Sequence, residues 1–242
     1  MPLEKTEYSG RKTMPESITI SPRITVEVTQ TCPLFINPRE YLAFRRGKLL
    51  FGFFKRWSER RAIDKSLDGL DGIDCVCDVP CGPGRLFPYW EKRGYRIIGV
   101  DLSDQMVEAA RRDRADSGRG DTVVKGDAFD LKDSVSGDRP NLIASVRFFY
   151  YFMRDKRIEL LRAMAAASPR YLLLQYKTAE TRKGKREMRK IAKTRPSSHK
   201  QYCSNQEIRE ELEAAGLECI NIVPISQASD RIFVLAGNQR GS

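Results

Sequence analysis

From residue 73 onward the chain alternates short strand-like runs with helical ones, and that alternation leaves few architectures open. Residues 73–79 read as a strand, 86–93 as a helix closed by Gly94, and 95–101 as a second strand. Ser103 caps a helix to about residue 113, with Met106, Ala109 and Ala110 on one face. Residues 122–125, 141–146 and 171–176 supply three further strands, with a helix at 156–167 before the last of them. Ser204-Asn205-Gln206-Glu207 has the form of a capping box and opens a helix that ends at Gly216. Residues 219–223 and 231–236 are two strands joined by a short turn-rich link, hence an antiparallel pair at the C-terminal edge. Largely apolar strands separated by helices imply an α/β fold, with a seven-stranded, mostly parallel sheet covered on both faces.

Upstream the pattern changes. Residues 1–37 read as an arm, polar and turn-rich to about residue 16, in which 18–28 alternates enough for a short strand. Residues 38–68 mix aromatic with basic side chains and read as a helix, with Leu50, Phe53, Phe54 and Trp57 on one face. The expected organisation is an arm (1–37), a basic helical lid (38–68) and an α/β domain (69–242) carrying a basic insert at about 178–203.

The formal net charge of +11 is concentrated in two places. Nine Lys/Arg in 38–65 face Glu40, Glu59 and Asp64, and nine in 181–200 face Glu187 alone. The rest of the chain is slightly acidic, at −3. Such runs are either solvated faces or contacts for an anionic partner. No apolar run approaches the roughly 18 residues of a membrane span. The N-terminus lacks a signal-type apolar stretch, so a cytoplasmic protein is expected. The basic aromatic helix also leaves peripheral docking on an anionic membrane open. Six cysteines (32, 75, 77, 81, 203 and 219) and one histidine, His199, lack zinc-ligand spacing; no metal site is expected, and the thiols read as reduced.

Chemistry is concentrated in the loop after the first strand, Asp78-Val79-Pro80-Cys81-Gly82-Pro83-Gly84-Arg85. In open α/β sheets ligands bind beyond the carboxyl ends of the strands, and glycines there let a ligand approach the backbone. A dinucleotide fingerprint would need a third glycine, but Gly82-Pro83-Gly84-Arg85-Leu86-Phe87 ends in phenylalanine; a Walker loop would need Gly-Lys-Ser/Thr. Asp78-x-x-Cys81-Gly82-x-Gly84, then Gly99-Val100-Asp101-Leu102-Ser103-x-x-Met106, then Lys125-Gly126-Asp127-Ala128, together resemble the class I S-adenosylmethionine-dependent methyltransferases. The loop is similar to that of a bacterial subgroup with Asp-Val-Pro-Cys-Gly-x-Gly-Arg. Pro80 and Pro83 depart from the commoner Gly/Ala and Thr/Ser.

The resemblance implies a Rossmann-like methyltransferase fold over about 70–240, with S-adenosylmethionine as cofactor and S-adenosylhomocysteine as product. It implies that Asp78 receives the cofactor's amino end, that Pro80, Cys81, Gly82 and Gly84 shape the loop around it, and that Asp101 accepts the ribose hydroxyls. Leu102 and Met106 would flank the adenine, Asp127 and Ala128 would meet its amino edge, and Val146 would line the same site. Simple core packing for Met106 and a turn cap for Asp127 are the plainer alternatives.

Acceptor-side residues are expected after the fourth strand, in Val146-Arg147-Phe148-Phe149-Tyr150-Tyr151-Phe152. Arg147, Tyr150 and Tyr151 are the candidate catalytic residues. Tyr41, Arg45 and Arg46 of the lid, with Tyr176 and Lys177 after the fifth strand, are candidate substrate contacts. No Asn/Asp-Pro-Pro-Tyr/Phe follows the fourth strand, which disfavours methylation of nucleobase amines. The expected partner is a small or lipid-linked anionic molecule. An RNA gripped by the basic segments, with steeply salt-dependent binding, is the second reading, and a non-catalytic binding protein the third.

Overall fold

In the computed structural model the chain is described at residues 17–21, 24–27, 49–112, 120–135, 137, 139–167, 170–193 and 200–238. It divides into two units, 1–35 and 36–242. In the first, β1 (Ser17–Ser21) pairs antiparallel with β2 (Ile24–Glu27), so the expected single strand is a hairpin.

The second unit holds a seven-stranded sheet. Its strands are β3 (Cys75–Asp78), β4 (Arg96–Asp101), β5 (Thr122–Lys125), β6 (Leu142–Ser145), β7 (Tyr171–Lys177), β8 (Leu217–Pro224) and β9 (Arg231–Asn238). The order is β5-β4-β3-β6-β7-β9-β8. β3 to β7 run parallel, whereas β9 lies antiparallel between β7 and β8. The expected antiparallel C-terminal edge is present, with the last strand inserted inside it. The chain leaves β3 toward β4 and β5, then returns to β6 on the other side. That reversal opens a crevice at the carboxyl ends of β3 and β6.

Helix α1 (Leu49–Ser66) precedes the sheet. Ala62 and Ile63 share a stripe with Glu59 and Ser66 at helical spacing, and all four are buried. Ile63 joins one apolar cluster with Trp90, Val76, Leu142, Leu173 and Phe233. Burying a side chain such as Ile63 stabilises by about 1.5–3 kcal/mol. The C-terminal half of α1 is therefore a core helix, which corrects the expectation of a lid over the whole of 38–68. Phe54 and Trp57, earlier in the same helix, are exposed. Residues 38–48, including Tyr41, Arg45 and Arg46, lie outside the described residues.

Helices α2 (Phe87–Lys92) and α3 (Asp104–Arg112) pack into the same cluster through Phe87, Trp90, Val107 and Ala110. The missing third glycine has a structural counterpart here. A Cβ on Gly99 of β4 would lie 2.6 Å from the Phe87 ring and 3.3 Å from Cys81 Sγ. Close helix–strand packing is thus obtained with a bare position on the strand, and the phenyl ring fills the space above it. Gly99→Ala should cost about 1–3 kcal/mol by overpacking, read as a lower urea midpoint at an unchanged slope.

Short α4 (Leu131–Ser134) and α7 (Asn205–Ala214) each contact α5 (Arg154–Ala167). The capping box at Ser204 is formed in both directions, and Gly216 takes a positive φ of 76° after α7. Between β7 and α7 the basic insert contains a helix, α6 (Arg182–Lys193). Cys75 and Cys77, two apart in β3, are buried and not in disulfides, as their spacing suggested. Cys32 lies outside the described residues.

Candidate functional site

The loop after β3 straddles the switch point. Val79 N–H donates to the Ala144 carbonyl of β6, and Cys81 N–H to the Val100 carbonyl of β4, each at 2.9 Å. Gly82 and Gly84 have φ of 56° and 75°, a region that L side chains rarely adopt. The Val79–Pro80 peptide is cis. Cys81 is buried, its thiol donates to the Gly82 carbonyl at 3.3 Å, and burial raises its pKa far above the ordinary thiol value.

Two carboxylates end the strands flanking this loop. Asp101, at the tip of β4, accepts Gly82 N–H on Oδ2 at 2.8 Å and Ser103 N–H on Oδ1 at 3.0 Å. Each oxygen keeps a second lone pair, so the carboxylate can hold the loop and still accept two hydroxyl donors. Burial raises the Asp101 pKa, against the lowering effect of these backbone donors. Asp78, at the tip of β3, is 2% exposed. Burial pushes it up to about 7, outweighing the Arg85 guanidinium, which pulls it down. A buried carboxyl held so high is short of positive charge, which a cationic ligand group would supply.

Met106 is buried and Leu102 half-buried at the start of α3. Asp127 Oδ1 accepts Phe129 N–H at 3.0 Å, capping the 3₁₀ turn at Ala128–Asp130. The plainer alternative for Asp127 is thus realised, with one carboxylate oxygen engaged in the turn. Val146 is buried directly after β6.

The acceptor-side segment folds into a 3₁₀ turn, Phe149–Tyr151. The aromatics pack in two sets: Phe129 to Phe152 at 5.7 Å and Phe152 to Phe148 at 4.7 Å, and Tyr150 to Tyr151 at 4.8 Å between ring centroids. Arg147 has a φ of 66°, and among the described residues it is the non-glycine residue with positive φ. Such strain collects at functional sites.

Arg147 converges with two other arginines on one carboxylate, Glu59 of α1. Arg147 Nη2 lies 3.1 Å from Glu59 Oε1, Arg85 Nη1 2.6 Å from Oε2, and Arg231 Nη1 3.5 Å from Oε1. Gln175 Nε2 donates to Oε1 at 3.3 Å. Burial would raise the Glu59 pKa, but Arg85, Arg147 and Arg231 together hold it well below the ordinary carboxylate value. Glu59, Arg231 and Gln175 were not singled out in the sequence.

β7 separates two of the expected substrate contacts. Side chains alternate across a strand, so Gln175 and Lys177 share the α1 face while Tyr176 points the other way. Tyr176 is wholly buried, packs against Phe149 and donates to Glu211 at 3.3 Å. Arg157 on α5 pairs with Glu211 on α7 at 2.5 Å in the same cluster. Tyr176 is therefore part of the core, not a substrate contact. Lys177 Nζ pairs with Asp230, contacts Tyr202 Oη at 2.9 Å and lies 5.9 Å from the Tyr150 ring centroid. Burial lowers its pKa, and Asp230 partly restores it. His199 lies outside the described residues.

A separate groove lined by Lys132, Arg139, Arg162, Gly216 and Asn238 lies near the amino end of β7 and contains none of these residues. No helix among the described residues is long and apolar enough to cross a membrane.

Residues 41–222 match the model of a family described as a methyltransferase domain. A 57-residue stretch is 42% identical to the ubiquinone biosynthesis O-methyltransferase of Idiomarina loihiensis, covering 24% of this chain and 23% of that protein. A 59-residue stretch is 37% identical to the malonyl-[acyl-carrier protein] O-methyltransferase of Enterobacter lignolyticus, covering 24% of each. The chain thus spans about a quarter of the length of these curated relatives. Magnesium protoporphyrin IX methyltransferase from Synechocystis PCC 6803 with bound SAH superposes with a TM-score of 0.64 at 17% identity, over 84% of this chain and 96% of that one. An O-methyltransferase from neocarzinostatin biosynthesis, in complex with SAH and 1,4-dihydroxy-2-naphthoic acid, gives 0.59 at 20% identity, over 82% and 58%. At these identities the likeness is one of fold.

Proposed function

The chain belongs to the methyltransferase-domain family, and on that premise we propose that it transfers a methyl group from S-adenosylmethionine to an oxygen of a small anionic acceptor. The observation that carries the cofactor half is the convergence of Asp78, Asp101 and the positive-φ glycines at the switch point. When bound, S-adenosylmethionine supplies a methyl on a sulfonium, whose carbon–sulfur bond breaks, the electron pair staying on sulfur, as the bond to the acceptor oxygen forms. Asp78 would hold its amino end and Asp101 its ribose hydroxyls, with Met106 and Leu102 flanking the base.

The chain's own work is positioning and exclusion of water, which suit an in-line displacement. A hydroxyl acceptor releases its proton; a carboxylate acceptor has none to lose. Burial raises the Tyr150 pKa, so the phenol stays protonated at neutral pH and serves as a hydrogen-bond donor rather than a base. The acceptor half rests on the arginines and aromatics beside the loop. The named activities of the curated relatives, both O-methyltransferases, and the naphthoic acid held by one structural neighbour support an oxygen acceptor on a small molecule.

Tritiated-methyl transfer into a fractionated lysate tests this reading. Label is expected in the small-molecule or lipid-linked pool; label confined to RNA, or none, contradicts it. The pH dependence of cofactor binding is a second check. A cationic amino group binds the ionised form of Asp78, which protonates below about 7 in the free protein. S-adenosylhomocysteine affinity should fall about tenfold per pH unit below that value and level off above it. Calorimetry across pH 5.5–8.5 reads the slope, and a flat profile would remove Asp78 from the site.

A further inference from the structure

We infer that Arg147 and Arg231, held from beneath by Glu59, anchor a carboxylate of the methyl acceptor, and that the acceptor is an aromatic acid. This rests on the methyl-transfer reading and gives its acceptor a chemical class. Three guanidinium groups meet Glu59, and Arg85 also acts on Asp78. With both carboxylates ionised the group retains one surplus positive charge, which suits a monoanion.

Exposure decides where that charge is available. Glu59 is 1% exposed and sealed, whereas the Arg147 and Arg231 side chains are 25% and 21% exposed. The glutamate thus orients the guanidiniums from the inside while they keep accessible surface on the outside. Arg231 reaches Glu59 through one N–H at the long distance of 3.5 Å. A planar guanidinium so lightly engaged suits bidentate contact with a carboxylate. Gln175, wholly buried beside Glu59, has its Oε1 without a hydrogen-bond partner among the described residues. Gln175 thus belongs with Glu59 to the buried side of the cluster.

The aromatic class follows from the neighbours. Tyr150 follows Arg147 by three residues, in the turn Phe149–Tyr151, and the Arg231 and Arg147 charges act on its phenol. Its ring packs on Tyr151 at 4.8 Å between centroids, and Phe148 packs on Phe152 at 4.7 Å, so the segment after Arg147 is rich in paired rings. A flat apolar body against these rings, with its carboxylate on the arginines, uses both features.

The test is calorimetry on the full chain, with and without saturating S-adenosylhomocysteine. The probes are benzoate, 3,4-dihydroxybenzoate, the methyl ester of the latter, and catechol. Both acids should bind, and 3,4-dihydroxybenzoate should bind at least about tenfold more tightly than its ester or catechol. Arg231→Gln should abolish that preference while S-adenosylhomocysteine affinity stays within about threefold. Arg231→Lys keeps the charge but loses the fork, and should give an intermediate result if the Gln variant folds poorly. Lys185→Gln, on the exposed face of α6, should change nothing.

Equal affinity for acid and ester overturns the inference, as does the absence of acid binding at about 20 mM. So does a parallel loss of acid and S-adenosylhomocysteine affinity in Arg231→Gln, which would assign the arginines to the cofactor's own carboxylate. Acid binding by a wild-type protein that does not bind S-adenosylhomocysteine would instead refute the methyl-transfer reading and leave the carboxylate site standing.

Discussion

Asp101→Ala should remove measurable S-adenosylhomocysteine binding while the domain stays folded. The carboxylate is the last residue of β4, and each of its oxygens already fixes one backbone N–H, at Gly82 and Ser103. The two remaining lone-pair directions are what a ribose diol would use. Hydrogen bonds to a charged group contribute about 1.5–3 kcal/mol each, so losing two lowers affinity by at least about a hundredfold. Stability should change far less. The carboxylate's burial already opposes its charge, as the raised pKa records, and alanine removes that desolvation together with the loop contacts. Asp101→Asn tests the same point by keeping the shape without the charge. A folded Asp101→Ala protein with unchanged affinity would refute the assignment.

Glu59→Gln should be the most destabilising conservative change in the described structure. Three arginines on α2's approach, β6's exit and β9's start converge on this side chain. Removing one partner of a buried ion pair leaves charge uncompensated and costs about 3–5 kcal/mol. Glutamine fills the same volume, so packing loss cannot account for the effect. The pH dependence has a definite sign. The folded-state pKa of Glu59 lies well below its ordinary value of 4.5. Its stabilisation is therefore fully present above about that value and is lost as the pH falls toward the depressed pKa. Urea midpoints of wild type and Glu59→Gln should differ most from pH 5 upward and converge in acid. A gap of less than about 1 kcal/mol at pH 7 would mean that the arginines are held by something else.

The parts of this molecule governed by local rules were legible in the sequence. Strand alternation, the Ser204 capping box and the closing glycines concern neighbours within a few residues, and they appear in the structure close to where they were read. The loop glycines were legible because positive φ favours glycine, and Asp101 stood out only through the motif that carries the resemblance. Parity along a strand was readable too. Tyr176 and Lys177 are adjacent and must point to opposite faces, so both could not face the same acceptor.

Long-range convergence was not legible. Arg231 begins the last strand, and nothing near it signals that β9 inserts beside β7 and brings it to α1. Glu59 looked like an acidic minority in a basic helix. The one available signal was its place on the same helical stripe as Ala62, Ile63 and Ser66, where a lone carboxylate needs a buried partner. The basic insert reads as a charged segment without a helix, and Gly184 in the first turn of α6 answers to a neighbour outside it. Its Cβ position lies 1.9 Å from the Thr178 carbonyl oxygen, so any side chain there would collide with the preceding loop.

The most direct test of the central claim is a crystal structure of the chain with S-adenosylhomocysteine. The account predicts the ribose hydroxyls on Asp101 and the amino group at Asp78, with the homocysteine sulfur facing the paired rings after Arg147. Ligand density elsewhere, for instance in the groove near Asn238, with the Asp78–Asp101 crevice empty, would contradict it.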